Sequence, residues 1–149
     1  MATTDRYLRP GTGTHYLNAA VAALTRAGIS VWGSRVLRVR GRGSGEWRTT
    51  PVNPLTLDGR RYLVAPRGHA QWVRNLRVAG EGELAVGRRT RSFTAVELAD
   101  ADKPAVLRAY LRRWKFEVGA FFDGVGPEAT DAQLLEVAAG YPVFRIEER

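Results

Sequence analysis

The stretch Gly41-Arg42-Gly43-Ser44-Gly45-Glu46-Trp47-Arg48-Thr49-Thr50-Pro51 holds the densest set of groups in the chain that could grip a charged ligand. Glycines at alternate positions leave backbone N–H groups without a flanking Cβ, so a ligand can approach the main chain closely. Arg42, Ser44, Arg48, Thr49 and Thr50 add guanidinium and hydroxyl donors to the same short segment. Donors of these three kinds suit an anion, and phosphate is the obvious one. No Gly-Lys-Ser/Thr follows the first glycine at Walker spacing, and a strand-like run rather than a helix comes next, so neither nucleotide-loop fingerprint applies. The same residues, read locally, also describe a glycine-rich hairpin turn with solvated arginines.

Other reactive chemistry is sparse. The chain has no cysteine, which excludes disulfides, thiolate chemistry and Cys-bound metal. Its two histidines, His15 and His69, are too few for a histidine-rich metal site, and no metal is expected. No paired carboxylate or nucleophile–base pair is evident, so no catalytic residue is assigned. The net charge is +8, and it is not spread evenly. Thirteen arginines against four carboxylates between Arg35 and Arg91 leave +9 there and −1 on the remainder. Only Lys103 and Lys115 are lysines, and the planar guanidinium fork favours phosphate and carboxylate partners.

The elements that must position the glycine-rich stretch follow from periodicity. With 149 residues, 44% hydrophobic and 26% charged, the chain fits one globular domain with a sizeable core. Residues 1–30 form a lead-in and a helix from about His15 to Gly28, in which Leu17, Val21 and Leu24 share a face. This helix packs on the domain, contacts a membrane surface peripherally, or lines a cofactor channel. Residues 34–98 form the core. Ser34–Arg40 is a strand, and Trp47–Leu57 a second one whose Pro51 and Pro54 mark it as edge-like or bulged. Asp58-Gly59 joins it to a third strand, Arg60–Ala65, as a meander. A helix over Ala70–Val78 and strands over 82–86 and 90–98 follow. The turn arginines Arg88, Arg89 and Arg91 read as exposed.

Asp102 is placed as the cap of a long helix over 102–122, with Leu107, Leu111, Trp114, Val118 and Phe121 as its apolar stripe. A short helix over 131–138 and a closing strand over 142–147 complete an α+β pattern of about six strands on a small antiparallel barrel. No apolar run nears the ~20 residues of a membrane span and no signal-peptide core is present, so a cytoplasmic location is expected, with membrane contact at most peripheral.

With its motifs in this order, the chain resembles the deazaflavin-dependent nitroreductase family. The matching segments are the glycine-rich stretch itself, Asp58-Gly59, Tyr62-Leu63-Val64-Ala65, Pro66-Arg67-Gly68, Trp72-Val73-Arg74-Asn75-Leu76 and Pro142-Val143-Phe144. They run over residues 30–146. The resemblance implies a split β-barrel related to pyridoxamine-phosphate-oxidase and FMN-binding barrels. It also implies coenzyme F-420, an 8-hydroxy-5-deazaflavin with a phosphodiester and a polyglutamate tail, with FMN as the alternative. By carry-over, Arg42, Gly43, Ser44, Gly45 and Arg48 meet the phosphate, and Thr49, Thr50 and Pro51 run along the ring. Ala65, Pro66, Arg67 and Gly68 border the ring, and Trp72 and Asn75 complete the site. Two positions depart from the family pattern: Gly43 stands where lysine is frequent, and Val73 where an aromatic residue is.

The activity so implied is hydride transfer to an electrophilic small molecule such as a quinone, nitroaromatic or enone. Tyr62, Tyr110, His69 or solvent are the candidate proton sources. A non-catalytic barrel carrying flavin, tetrapyrrole or a lipid-like ligand is the alternative reading. Nucleic acid is disfavoured as a partner, because no aromatic stacking platform is interleaved with the arginines. Monomer and homodimer both stay open.

Overall fold

The computed structural model describes residues 34–118 and 125–149. The lead-in, the helix over 15–28 and the far end of the apolar stripe at Phe121 lie outside the described residues.

Among the described residues, seven strands form one antiparallel sheet: β1 (Arg35–Arg40), β2 (Trp47–Val52), β3 (Leu55–Leu57), β4 (Arg60–Val64), β5 (Glu81–Val86), β6 (Arg89–Glu97) and β7 (Val143–Glu148). The helices are α1 (Gln71–Ala79), α2 (Pro104–Val118) and α3 (Asp131–Val137). The sheet order is β2-β1-β5-β6-β7-β4-β3, so β2 and β3 are its two edges. Only Asn53 and Pro54 separate them, and the three Cα–Cα steps from Val52 to Leu55 reach at most about 11 Å. Opposite edges tethered that closely require the sheet to curl into a barrel split between β2 and β3.

This corrects the expectation of one strand over 47–57 and of a meander. Pro54 lacks an N–H and cannot continue the ladder with β1, so the chain leaves one edge there and joins the other. The Asp58-Gly59 turn forms as expected, with φ of 51° and 77°, and links β3 to β4.

Strand alternation sorts the core into two parts. Leu37, Val39, Leu63, Leu84, Phe93, Phe144 and Ile146 fill the barrel, and Val73 and Leu76 of α1 plug one mouth of it. The other side chains of β3, β4 and β7, among them Leu55, Val64 and Val143, pack outward against α2 and α3. In α2, Leu107, Leu111 and Trp114 are buried, as the stripe predicts, and Tyr110 joins them with its ring 5.0 Å from that of Trp114.

Asp102 is not the cap of α2. It ends a 3-10 turn, Asp100–Asp102, and the helix begins at Pro104, whose missing N–H costs nothing in a first turn. Lys103 lies between the two, only 3% exposed. Its ammonium donates to Ala138 O (2.9 Å) and to Asp100 (2.7 Å), tying the start of α2 to the end of α3. A Thr130–Gln133 capping box starts α3.

Candidate functional site

The glycine turn connects β1 to β2 and is braced from two sides. Internally, Gly41 N–H donates to Glu46 O (2.8 Å) and Gly45 N–H to Gly41 O (2.9 Å). Gly45 has φ of 73°, a conformation glycine adopts without strain. Ser44 Oγ accepts from Glu46 N–H at 3.1 Å.

On the helix side, Asn75 Oδ1 accepts from both Arg42 N–H (3.1 Å) and the Arg42 guanidinium (2.8 Å). Gln71 Oε1 takes a second guanidinium N–H of Arg42 at 2.9 Å. Gln71 and Asn75 are four apart, so they share one face of α1. The helix is fixed in turn because Val73 and Leu76 are buried in the barrel mouth and Gly80, at φ 70°, ends it. On the strand side, Arg40 donates to Gly45 O (3.1 Å), and its guanidinium lies 4.1 Å from the centre of the Trp47 ring. Arg38 lies over the same ring at 4.7 Å and pairs with Glu83 at 2.8 Å.

These contacts divide the predicted site residues by role. The Gly45 N–H and the Arg42 N–H are used within the protein. The Gly43 and Ser44 N–H groups have no partner among the described residues and sit together at the exposed turn. The Arg42 guanidinium is bonded to two neutral side-chain amides. Arg48 has no ion-pair partner among the described residues. Its Nε lies 3.5 Å from where a Cβ on Gly41 would stand, and Ser44 Oγ lies 3.0 Å from the same point. The absent Cβ of Gly41 therefore lets Ser44 Oγ, Glu46 O and Arg48 Nε gather close to its main chain. Gly43 has open space around its missing Cβ, so the lysine common in the family would fit there.

Register separates the residues of β2. Arg48 and Thr50 pair with Val39 and Leu37, which face the barrel interior, so they share that face. Trp47, Thr49 and Pro51 pair with Arg40, Arg38 and Val36 on the outer face. One ring cannot lie flat along Thr49, Thr50 and Pro51 by their side chains alone.

The loop Ala65-Pro66-Arg67-Gly68 turns back on itself, with Gly68 N–H on Ala65 O at 3.1 Å and Gly68 at φ 92°, and it delivers the chain to α1. Trp72 is half-buried with its ring 6.0 Å from that of Phe144, so much of it is anchored in the core. Three of the candidate proton sources have structural duties. Tyr110 is 2% exposed in the α2 core, Tyr62 packs beside that core, and His69 Nε2 donates to Ala139 O at 3.0 Å.

The sequence reading missed Gln71, Arg40 and Trp47 as braces, although i, i+4 spacing and cross-strand pairing are signals for them. Arg77 makes a two-bond pair with Glu97 (2.8 and 2.7 Å), which raises its pKa above the ordinary value and ties α1 to β6. Among the described residues no group of His, Cys, Asp or Glu could hold a metal ion.

A family model described as F420H(2)-dependent quinone reductase matches residues 18–118. The chain belongs to that family. It is an F420-dependent oxidoreductase, with F420H2 as reductant and a small-molecule quinone as acceptor. Solved structures agree on the fold. An F420-H2 dependent reductase, FDR-A, is 18% identical at a TM-score of 0.50, with 77% of this chain and 94% of that one covered. The heme storage protein HutZ from Vibrio cholerae is 11% identical at a TM-score of 0.52, covering 78% and 82%. A structure described as a domain-swapped dimer is 18% identical at 0.53, covering 87% and 92%. No curated protein matches the chain by sequence. The donors left over in the turn, the amides of Gly43 and Ser44 and the Arg48 guanidinium, are of the chemical kind that a phosphodiester accepts from.

Proposed function

We propose that the coenzyme's phosphodiester is held by the turn 41–46 together with Arg48, and that α1 and the loop 65–68 border its ring. The observation that carries this reading is the clamp of Arg42 onto Asn75 and Gln71. It fixes the turn while leaving two amides and one guanidinium available to an anion. Arg42 and Asn75 then act on the ligand chiefly by positioning the turn, and Gly45 by its conformation. Thr50, on the same face as Arg48, borders the ligand by its side chain. Thr49 and Pro51 do so through the main chain of the edge strand β2.

When bound, the reduced coenzyme supplies the hydride. The residues here bind and orient, and the half-buried Trp72 and the buried Asn75 limit water on the helix side. Asn75 Nδ2 has no partner among the described residues and is available to an acceptor atom of the ring. A quinone that accepts hydride also needs a proton. Tyr110 is buried and His69 is bonded to Ala139 O, which leaves solvent or the partly exposed Tyr62 as its source. Nitroaromatics and enones are further acceptors of the same electronic type. Assembly as a homodimer is supported only by a structural relative described as a domain-swapped dimer.

Arg48→Ala is expected to weaken binding of oxidised F420 about tenfold, the loss of one charge-assisted contact, with the melting temperature unchanged. Titration by tryptophan quenching, with flavin mononucleotide as control, measures it; unaltered affinity would remove Arg48 from the site. Gly43→Lys is expected to act oppositely, tightening binding about three- to tenfold, because the added ammonium meets no steric barrier. Weaker binding in that variant would place the phosphate away from the turn.

A further inference from the structure

The arginine excess does not all lie near the glycine turn. Of the thirteen arginines from residue 35 to 91, six start strands or fill turns at the opposite end of the barrel: Arg35, Arg60, Arg61, Arg88, Arg89 and Arg91. Alternation then aims four of them inward. Arg35 precedes Leu37 by two residues, Arg61 precedes Leu63 by two, and Arg91 and Arg89 precede Phe93 by two and four. Leu37, Leu63 and Phe93 all belong to the barrel interior, so these four side chains share its face at the far mouth.

Glu148 lies on that face too, two residues beyond Ile146 and opposite Phe93. Its carboxylate is hydrogen-bonded to Arg61 and lies 3.1 Å from Arg91 Nε. It is well covered, with 17% of its side chain exposed, against 30% for Arg61 and 63% for Arg91. Arg61 and Arg91 share that one carboxylate, so two guanidiniums meet a single negative charge at this mouth. Arg89 is exposed and has no ion-pair partner among the described residues. Arg35, which donates to Ser34 O at 3.0 Å, is held below its ordinary pKa by burial and then by the charge of Arg61, with Glu148 opposing and Arg89 adding.

We propose that this mouth is a second anion site, separate from the glycine turn, that takes a small multivalent oxyanion. Like charges gathered in a partly desolvated ring repel one another, and a bound polyanion replaces that repulsion with attraction. Glu148 fixes the forks of Arg61 and Arg91, whose remaining N–H groups can face the ligand. Arg89 supplies further charge from the start of β6. Planar guanidinium forks converging from several strands match the oxygens of a phosphoryl anion better than those of a halide.

Inorganic pyrophosphate, titrated calorimetrically at constant ionic strength, is the probe. Wild type is expected to bind it saturably. Arg89→Gln/Arg91→Gln, two exposed positions whose loss spares the fold, should lower the affinity about tenfold or more while F420 binding is unchanged. Arg48→Gln should leave pyrophosphate binding at the far mouth intact. The proposal is overturned if no saturable binding occurs, or if Arg48→Gln abolishes it while the double variant does not. Equal, small losses in both variants would show diffuse charge attraction and would overturn it as well. Failure of F420 to respond to Arg48→Ala bears on the glycine turn alone, so the two readings fail separately.

Discussion

Replacing Asn75 with leucine is expected to weaken F420 binding by about 30- to 100-fold, the largest loss of affinity for a single change in the site. Asn75 is 5% exposed, and its one oxygen holds both the amide and the guanidinium of Arg42. Leucine matches its size but accepts nothing, so the turn loses the hydrogen bonds that tie it to the buried part of α1. Two bonds are lost at once, one charge-assisted, which corresponds to about 2–3 kcal/mol. That energy counts against binding because a loosened turn must be reordered when the ligand arrives. A ligand donor at Nδ2 disappears as well. Gln71→Ala removes only the exposed member of the clamp and should cost no more than a few-fold. The measurement is the F420 dissociation constant for the three proteins, with circular dichroism to show that α1 persists. Equal affinities for wild type and Asn75→Leu would mean that the turn does not need the clamp.

Gly82→Ala is the second change with a large expected effect, and it acts on the scaffold. A Cβ at Gly82 would stand 2.7 Å from the backbone oxygen of Arg38 and 2.9 Å from Phe93 Cζ. Phe93 is fully buried across the strand pair from Gly82, so its ring has no space to retreat into. The Arg38 carbonyl is main chain in the β1–β5 ladder and cannot rotate away. Relief must come from parting β1 and β5, the pair that carries the glycine turn on one strand and Glu83, the partner of Arg38, on the other. Overpacking of this kind costs about 3 kcal/mol, at the upper end because one obstructing atom is backbone. For a chain of this size that lowers the melting temperature by about 10 °C. Chemical denaturation gives the free energy directly. A loss below about 0.5 kcal/mol would show that the strands part easily, contrary to so close an approach.

The contrast between these positions shows how much of the molecule was legible in its residues. Asp58-Gly59 announced its own turn because the conformation is local and few residue types adopt it. The stripe Leu107, Leu111 and Trp114 announced a buried helix face for the same reason, one period repeated within one element. Pro54 was visible as a ladder breaker. That the chain crosses there from one sheet edge to the other was not visible, because it depends on β3 pairing with β4 and β7 closing the sheet between β4 and β6. Asp102 looked like a cap, but a buried Lys103 tied to Ala138, thirty-five residues away, sets the start of α2.

By itself the sequence determined that residues 41–51 form a glycine turn rich in anion donors, that an α+β barrel surrounds it, and which family motifs accompany it. Those properties reside in residue types and short spacings, where backbone freedom, alternation and charge act over a few bonds. Only the tertiary structure decided which donors are available. It turned Arg42 onto Asn75, closed the Gly45 amide inside the turn, and put Arg48 and Thr50 on one face of β2 with Thr49 and Pro51 on the other. It also divided the arginines between the two ends of the barrel. Both outcomes depend on strand order and register, which join residues distant in the chain and which no local pattern specifies.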